Sequence, residues 1–556
     1  MDKIAAPEPN ARPSNETGLA LSHEAAKLGI AQSMSATRAQ DAVPPTGTAI
    51  GPTAANENII VTVIVKSKAS DQDMDQAIKD ISDGKRAPLS KQQFAAEFSA
   101  DPDALKRVTD TARADGLAVV KSDAVSGQLQ LEGTAADISQ AFNVKLQDYR
   151  DGTQTFRYAT PGNGFTPHVS NNDIEGVLGL DTRPQAKPQL LPRDDQPAPD
   201  GEIHEYMPNQ VADLYHFPKE SMGAGQSVGI IEMGGGLDLR DNAQYYTDHQ
   251  LKTPEIRMVA LDGAKTDVGD RADIEVALDS QIVGVVAPDA KQQLVFVPNT
   301  EQGLVDAITR STFPEKGEIQ NSVLSISWGN AEKNWSKDGV HNIDLALKKA
   351  VLQGISVFAS SGDFGATNRA KDNSYSVVFP ASDPYVTGTG GTRLEPSGSE
   401  VAWNDSMPFF GISATGGGIS NLFEVPEFQK NVTLPPDANS NGHIGRGVPD
   451  VAADSSVSTG YTIRVGGKQM REAGTSAAAP LYSALMLRVN GALGHPVGYL
   501  NPFLYKNGSS SMFKDITSGD NEAYAAGPGW DATTGWGSIR GDKFLDLLRQ
   551  EEQAKK

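Results

Sequence analysis

The chain has 556 residues, with 70 acidic side chains against 49 basic ones, a formal net charge of −21 and no cysteine. Its length calls for two or three domains with linkers. The acidic balance, with no basic stripe, argues against a nucleic-acid partner, and the lack of thiols excludes disulfides, thiol catalysis and Cys-ligated zinc.

The first residues, MDKIAAPEPNARPSNETG, lack the apolar core of a signal peptide, and no apolar run reaches membrane-spanning length. A soluble protein is expected. Residues 1–57 are rich in Ala, Pro, Ser, Thr and Asn and read as a mostly disordered tail, with a marginal helix around Leu19 to Leu28. Residues 58–182 read as a small α+β domain. Its strands are expected at IIVTVIVK from Ile59, at Leu117 to Lys121, at Gly127 to Glu132 and near Val144 to Tyr149; its helices are expected at Lys91 to Phe98, Asp103 to Asp115 and Ala135 to Phe142. Residues 183–205 are rich in proline and charge without apolar periodicity, which marks a protease-accessible linker.

From 206 to 556 strand and helix signals alternate. Strands are expected at Ser227 to Glu232, Arg257 to Leu261, Gln293 to Val297, Val323 to Ser327 and Ile355 to Ser360. Helices are expected at Ala272 to Val286, Gly303 to Arg310 and Asp344 to Gln353. Such alternation implies an α/β fold with a parallel sheet and helices on both faces, whose ligands bind at the carboxyl ends of the strands.

Three stretches carry candidate chemistry. GTSAAAP, Gly474 to Pro480, reads as a tight turn feeding a buried helix, with Ser476 among the unsatisfied amides of its first turn. Such a string is more often a plain Ser N-cap than a nucleophile, so it needs partners elsewhere. In DIEVALDSQIVGVVAP, Glu275 and Asp279 share one helical face beside the apolar Ile274, Leu278, Ile282 and Val285, with no Lys or Arg in the helix. In a dry place the two would share a proton; on a wet helix N-terminus they would be an ordinary acidic patch, which suits Asp273 better. Asp363, in SSGDFG after a strand, is either a turn residue or a group at the strand's active end. None of the eight histidines precedes Gly-Thr, as the subtilisin base would, so the partner of a nucleophilic Ser476 should be a carboxylate.

With Glu275, Asp279, Asp363 and Ser476 in this order, the chain resembles the sedolisins, or serine-carboxyl peptidases, and within them the kumamolisin-like members. The resemblance also rests on GIIEMGGG, SISWG, FPASDPYVTGTGGT, TGGGIS and GRGVPDVAAD, and runs from about residue 58 to 550. It implies a subtilisin-like catalytic domain behind a ferredoxin-like inhibitory and folding prodomain, with autoprocessing in the linker. It also implies an acid-active endopeptidase that is secreted, monomeric and directed at polypeptides. In this likeness Ser476 is the nucleophile, Glu275 its base, Asp279 the residue that orients and shares a proton with Glu275, and Asp363 an oxyanion group. Glu232 and Trp328 extend the network, while Ser327 to Gly329 pair with substrate backbone. Ala473, where many relatives carry Ser, and Phe364, where a small residue is common, depart from the pattern; Phe364 could narrow a subsite or change the solvation of Asp363.

The likeness further implies one structural Ca²⁺ held by Asp515 and Asp531 side chains and by the carbonyls of Ile516, Gly527 and Gly529, an all-oxygen set. Two other readings use the same residues. One is a binding protein without turnover; the other is an esterase-like hydrolase, disfavoured because no G-x-S-x-G surrounds Ser476.

Overall fold

The computed structural model describes residues 45–161, 172–189, 203–407, 411–439 and 442–555. Most of the expected tail, including its marginal helix, lies outside them. The tail's end does not fit the expectation: Thr48–Pro52 is a strand (β1), paired antiparallel with a later strand. Its residues are mostly exposed, so the backbone ladder holds it and no apolar pattern announces it.

The N-terminal unit continues with β2 (Asn58–Val65), β3 (Ala118–Asp123), β4 (Gln128–Thr134), β5 (Val144–Asp151), β6 (Gln154–Pro161) and β7 (Ile174–Leu178). One antiparallel sheet runs β3-β4-β2-β7 and a second runs β1-β5-β6. The first is the split β-α-β pattern of a ferredoxin-like domain. Its helices start at capping boxes: Ser70 with Asp73 before Asp71–Ser82, Ser90 with Gln93 before Lys91–Glu97, and Thr134 with Asp137 before Ala135–Phe142. Asp71–Ser82 had not been expected, because only Met74, Ala77 and Ile78 of its twelve residues are buried.

The C-terminal unit is built on an eight-stranded sheet. Its strands include β9 (Ser227–Glu232), β10 (Glu255–Ala260), β11 (Lys291–Phe296), β12 (Val323–Ile326), β14 (Ser356–Ser360), β16 (Thr387–Leu394) and β17 (Glu400–Ala402), in the order β10-β11-β9-β12-β14-β16-β17. Val451–Asp454 pairs with β16, and all pairings except β16 with β17 are parallel. β9, β12 and β14 are buried throughout, as strands covered on both faces must be. Leu278, Ile282, Leu485 and Val489, from helices Asp273–Val286 and Thr475–Leu493, lie in one apolar cluster. Leu304, Ile308, Leu347 and Val351, from helices Glu301–Thr312 and Lys337–Leu352, lie in another.

That second cluster also takes in Met74, Ile78, Phe94 and Leu178 of the N-terminal unit, and the Phe94 and Phe313 rings lie 4.9 Å apart. Residues 43–556 accordingly pack as one compact unit. Polar contacts fix the register: Thr62 and Gln128 donate to Asp306 at 3.0 and 2.7 Å, and Lys348 pairs with Asp75 at 2.9 Å. The start of the linker is not open to solvent as expected. Arg183, Gln185, Ala186 and Gln189 are buried, and Lys187–Pro188 (β8) joins β13 (Trp328–Ala331) antiparallel. Residues 190–202 lie outside the described residues.

Within GRGVPDVAAD, Arg446 and Asp450 form a fully buried ion pair at 2.8 Å. Asp450 also accepts the Gly388 N–H and the Tyr505 hydroxyl, both at 2.7 Å, tying the branch strand to β16. Asp450→Ala would strand a buried guanidinium and is expected to cost about 3–5 kcal/mol, read as a fall in the thermal and urea midpoints.

Candidate active site

Gly474 caps the helix Thr475–Leu493 with φ 118°. A Cβ there would sit 2.4 Å from Asp363 Oδ2 and 2.6 Å from the Gln189 carbonyl oxygen, so glycine is required by conformation and by space. Ser476 is therefore not an N-cap; it is the second residue of the helix, and its hydroxyl donates to the Ser327 carbonyl at 3.4 Å. The free amides of this turn have other partners. Thr475 N–H donates to Asp363 Oδ1 at 2.8 Å, as does the Thr475 hydroxyl, and Ser476 N–H donates to the Gln189 carbonyl at 3.0 Å.

Glu275 and Asp279 have no solvent exposure, which removes the wet-patch reading. Asp273 serves the helix terminus: its carboxylate accepts N–H groups of Gly236, Gly269 and Asp270 at 2.8, 2.6 and 3.2 Å. Asp279 Oδ1 accepts the Ser327 hydroxyl at 2.8 Å, and Glu232, at the end of β9, accepts the Trp328 indole N–H at 3.1 Å. Burial pushes Glu275 well above the ordinary carboxyl range, the Asp279 charge pushes it further, and the nearby Ser476 hydroxyl opposes both. Burial likewise raises Asp279 against the Ser327 hydroxyl, and raises Glu232 with help from Asp279.

Both Glu275 oxygens and Asp279 Oδ2 are buried without a hydrogen-bond partner among the described residues. The Ser476 hydroxyl is close enough to favour ionised Glu275, yet at rest it is turned toward Ser327. A serine beside a carboxyl that has no competing donor needs only a hydroxyl rotation to pass its proton across.

The cleft holds the chain's own linker. Gln189 N–H donates to the Ser327 carbonyl at 3.0 Å, its side-chain amide donates to the Gly329 carbonyl at 3.0 Å, and Trp328 and Gly329 face Pro188 and Lys187 in register. A Cβ on Gly329 would meet Val378 at 2.4 Å, because β13 also pairs with Val378–Phe379 on its other edge. Phe364 packs against Trp403, and the Arg369 guanidinium lies over its ring. Sequence reasoning missed Gln189, Thr475 and Arg369. Thr475 could have been read from the GTS string, whereas nothing in a proline-rich linker singles out Gln189.

At the C-terminal end, Asp515 Oδ2 accepts Gly529 N–H at 2.9 Å and Asp531 Oδ2 accepts Gly527 N–H at 3.2 Å. Two carboxylates thus flank the turn whose carbonyls were expected to complete an oxygen cage, a donor set that fits Ca²⁺. No group of three or more acidic, His or Cys side chains is placed to hold a metal among the described residues, so an ion here would depend on backbone carbonyls.

Residues 45–183 match the Pro-kumamolisin activation domain family and residues 268–537 the Subtilase family. Kumamolisin of Bacillus sp. (strain MN-32) is 37% identical over 523 residues, covering 90% of this chain and 93% of that one. Sedolisin of Pseudomonas sp. (strain 101) is 28% identical over 543 residues, 92% and 90% of the two chains. The solved structure of Pseudomonas sedolisin, a serine-carboxyl proteinase complexed with two molecules of pseudo-iodotyrostatin, aligns with a TM-score of 0.56 at 27% identity over 63% of this chain and 99% of its own. No helix among the described residues is long and apolar enough to cross a membrane. The fold, the activation domain and the full-length similarity converge: the chain belongs to the sedolisins, the serine-carboxyl peptidases, as a kumamolisin-like member with its N-terminal prodomain.

Proposed function

We propose that this peptidase is an acid-active endopeptidase that activates itself by cutting its own linker. The observation that carries this reading is the Gln189 carbonyl, hydrogen-bonded to Ser476 N–H at the corner that Asp363 also faces. Ser476 Oγ adds to that carbonyl carbon while its proton passes to Glu275. Asp279 shares the remaining proton of the buried pair with Glu275 and is oriented by Ser327, with Glu232 and Trp328 behind. The oxyanion forms at the Ser476 N–H, and Asp363 in its protonated form donates the second hydrogen bond, which a carboxylate could not do. Glu275 then returns the proton to the leaving amine, and water repeats the sequence on the acyl-enzyme. Strand pairing to Ser327–Gly329 reads backbone, which suits broad polypeptide substrates. The family likeness supports a secreted monomer.

Ser476→Ala is expected to abolish hydrolysis of an unfolded protein, and Glu275→Gln to lower kcat/KM by roughly 10³–10⁴-fold. Both carboxyls of the pair are raised, so the pair holds its protons past the ordinary carboxyl range and Glu275 is freed as a base only as pH rises through it, while Asp363 as the proposed donor must keep its proton. The rate should rise out of strong acid and fall again as the last required proton leaves. A pH–rate profile with its maximum above neutrality would contradict the mechanism.

Acid incubation of the full chain should yield, as its first new N-terminus, the residue after Gln189, and Ser476→Ala should yield none. N-terminal sequencing of the earliest fragment checks this.

One structural Ca²⁺ belongs to the same proposal, held by Asp515 and Asp531 and by the Ile516, Gly527 and Gly529 carbonyls; it would brace this loop. Chelation is expected to lower the thermal midpoint by about 2–4 °C, the effect of losing ~2–3 kcal/mol of linked binding in a unit of this size. Asp515→Ala should show the same fall and no further response to chelator.

A further inference from the structure

Gln189 N–H donates to the Ser327 carbonyl, and Pro188 and Lys187 stand opposite Trp328 and Gly329. In an antiparallel ladder, successive residues turn their N–H and C=O groups to opposite edges. Gln189 and Lys187 therefore use the β13 edge, while Pro188 and Ala186 turn theirs to the far edge, where β8 has no strand beside it among the described residues. Proline has no N–H to leave unpaired. Ala186 has both groups, and at 4% exposure it is shut off from water, so they need partners in the protein.

Asn299 supplies both. Its side-chain oxygen accepts the Ala186 N–H at 2.8 Å, and its side-chain nitrogen donates to the Ala186 carbonyl at 2.8 Å. The Gln185 N–H is shared between the same side-chain oxygen, at 3.1 Å, and the Asn299 carbonyl, at 3.3 Å. One asparagine thus stands in for a neighbouring strand; a carboxylate could serve only one of the two Ala186 groups. We propose that Asn299 positions the substrate backbone at the fourth residue before the cut, so that the cleft favours chains running at least four residues ahead of the cleaved bond. This rests on the reading that Gln189 marks the cut, which makes Ala186 the fourth residue.

The clamp is built into the frame of the site. Asn299 lies between the end of β11 and Thr300, whose side chain caps helix Glu301–Thr312 by accepting the Gly303 N–H at 3.0 Å. Val297 N–H donates to the Glu232 carbonyl at 2.9 Å and Thr300 N–H to the Pro298 carbonyl at 2.7 Å, so the short loop is tied on both sides of Asn299. A Cβ on Gly303 would sit 2.1 Å from the Pro298 carbonyl oxygen, because the helix start presses on this loop. The grip continues one residue farther. The Asn330 side-chain amide donates to the Gln185 carbonyl at 2.6 Å, and the Gln185 side-chain amide donates to Glu301 at 3.2 Å. A peptidase that counted three residues from a free amino terminus would close its cleft before this point, whereas here the chain passes on between Asn299 and Asn330.

The test uses the activated enzyme and acetylated peptides that cross the Gln189–Leu190 bond, one running from Gln185 to Leu191 and one from Lys187 to Leu191. A third repeats the longer peptide with the Ala186 N–H replaced by an ester oxygen. In the unaltered enzyme kcat/KM should be about tenfold higher for the longer peptide, the scale of one or two hydrogen bonds, and the ester should lose most of that gain. In Asn299→Ala the gain should fall to about twofold or less, with ester and amide cut alike. Asn299→Asp, which keeps the acceptor, should keep part of the ester effect. Each comparison is a ratio within one enzyme, so the folded fraction cancels, and the ester comparison in the unaltered enzyme needs no variant. A gain that survives Asn299→Ala, or an ester cut as fast as the amide by the unaltered enzyme, would overturn the proposal. Product masses locate the cut. Cleavage at another bond, with binding of the 185–189 peptide still weakened by Asn299→Ala, would refute the reading of Gln189 and support the clamp; cleavage after Gln189 that ignores length would do the reverse.

Discussion

Two carboxyl groups on adjacent turns of one buried helix, with no lysine or arginine among the groups acting on them, cannot both be ionised. That constraint shapes everything around Ser476. The desolvation that makes the pair costly also makes Glu275 a stronger base than a carboxylate in water, which is what the proposed mechanism asks of it in place of an imidazole. The burial is imposed from outside the helix. The sheet covers one side of the Glu275 helix, the Ser476 helix packs against it, and Ser327, Trp328 and Glu232 come from the carboxyl ends of neighbouring strands.

The prodomain occupies the machinery in two ways. Its sheet and first helix lie on helices Glu301–Thr312 and Lys337–Leu352, and its continuation threads the cleft as a third strand beside β13. The Gln189 carbonyl accepts the Ser476 N–H, so the segment that fills the cleft is also the one that the proposed self-cleavage would cut.

Much of this was legible in the sequence. β9 and the helix Ala135–Phe142 begin and end where apolar pattern and caps put them, and the Glu275 helix differs by one residue. Glu275, Asp363 and Ser476 come together because each sits at a strand end or helix start that the α/β pattern directs to one edge of the sheet, and Asp279 joins them one helical turn beyond Glu275 on the same face. What was not legible depends on contacts between distant segments. β1 and β8 are wet or short strands held by backbone ladders, and helix Asp71–Ser82 buries too narrow a stripe to stand out. Gly474 as the cap could not be told from Ser476 as the cap without knowing that Asp363 and Gln189 crowd the same point.

The apolar cluster that spans both units has a further meaning for the life of the molecule. Phe94, Met74 and Leu178 complete a core that helix Lys337–Leu352 and its neighbours do not close alone. Removing the N-terminal unit would return part of this shared cluster to water, so the catalytic unit taken alone would be held by less apolar burial than the full chain.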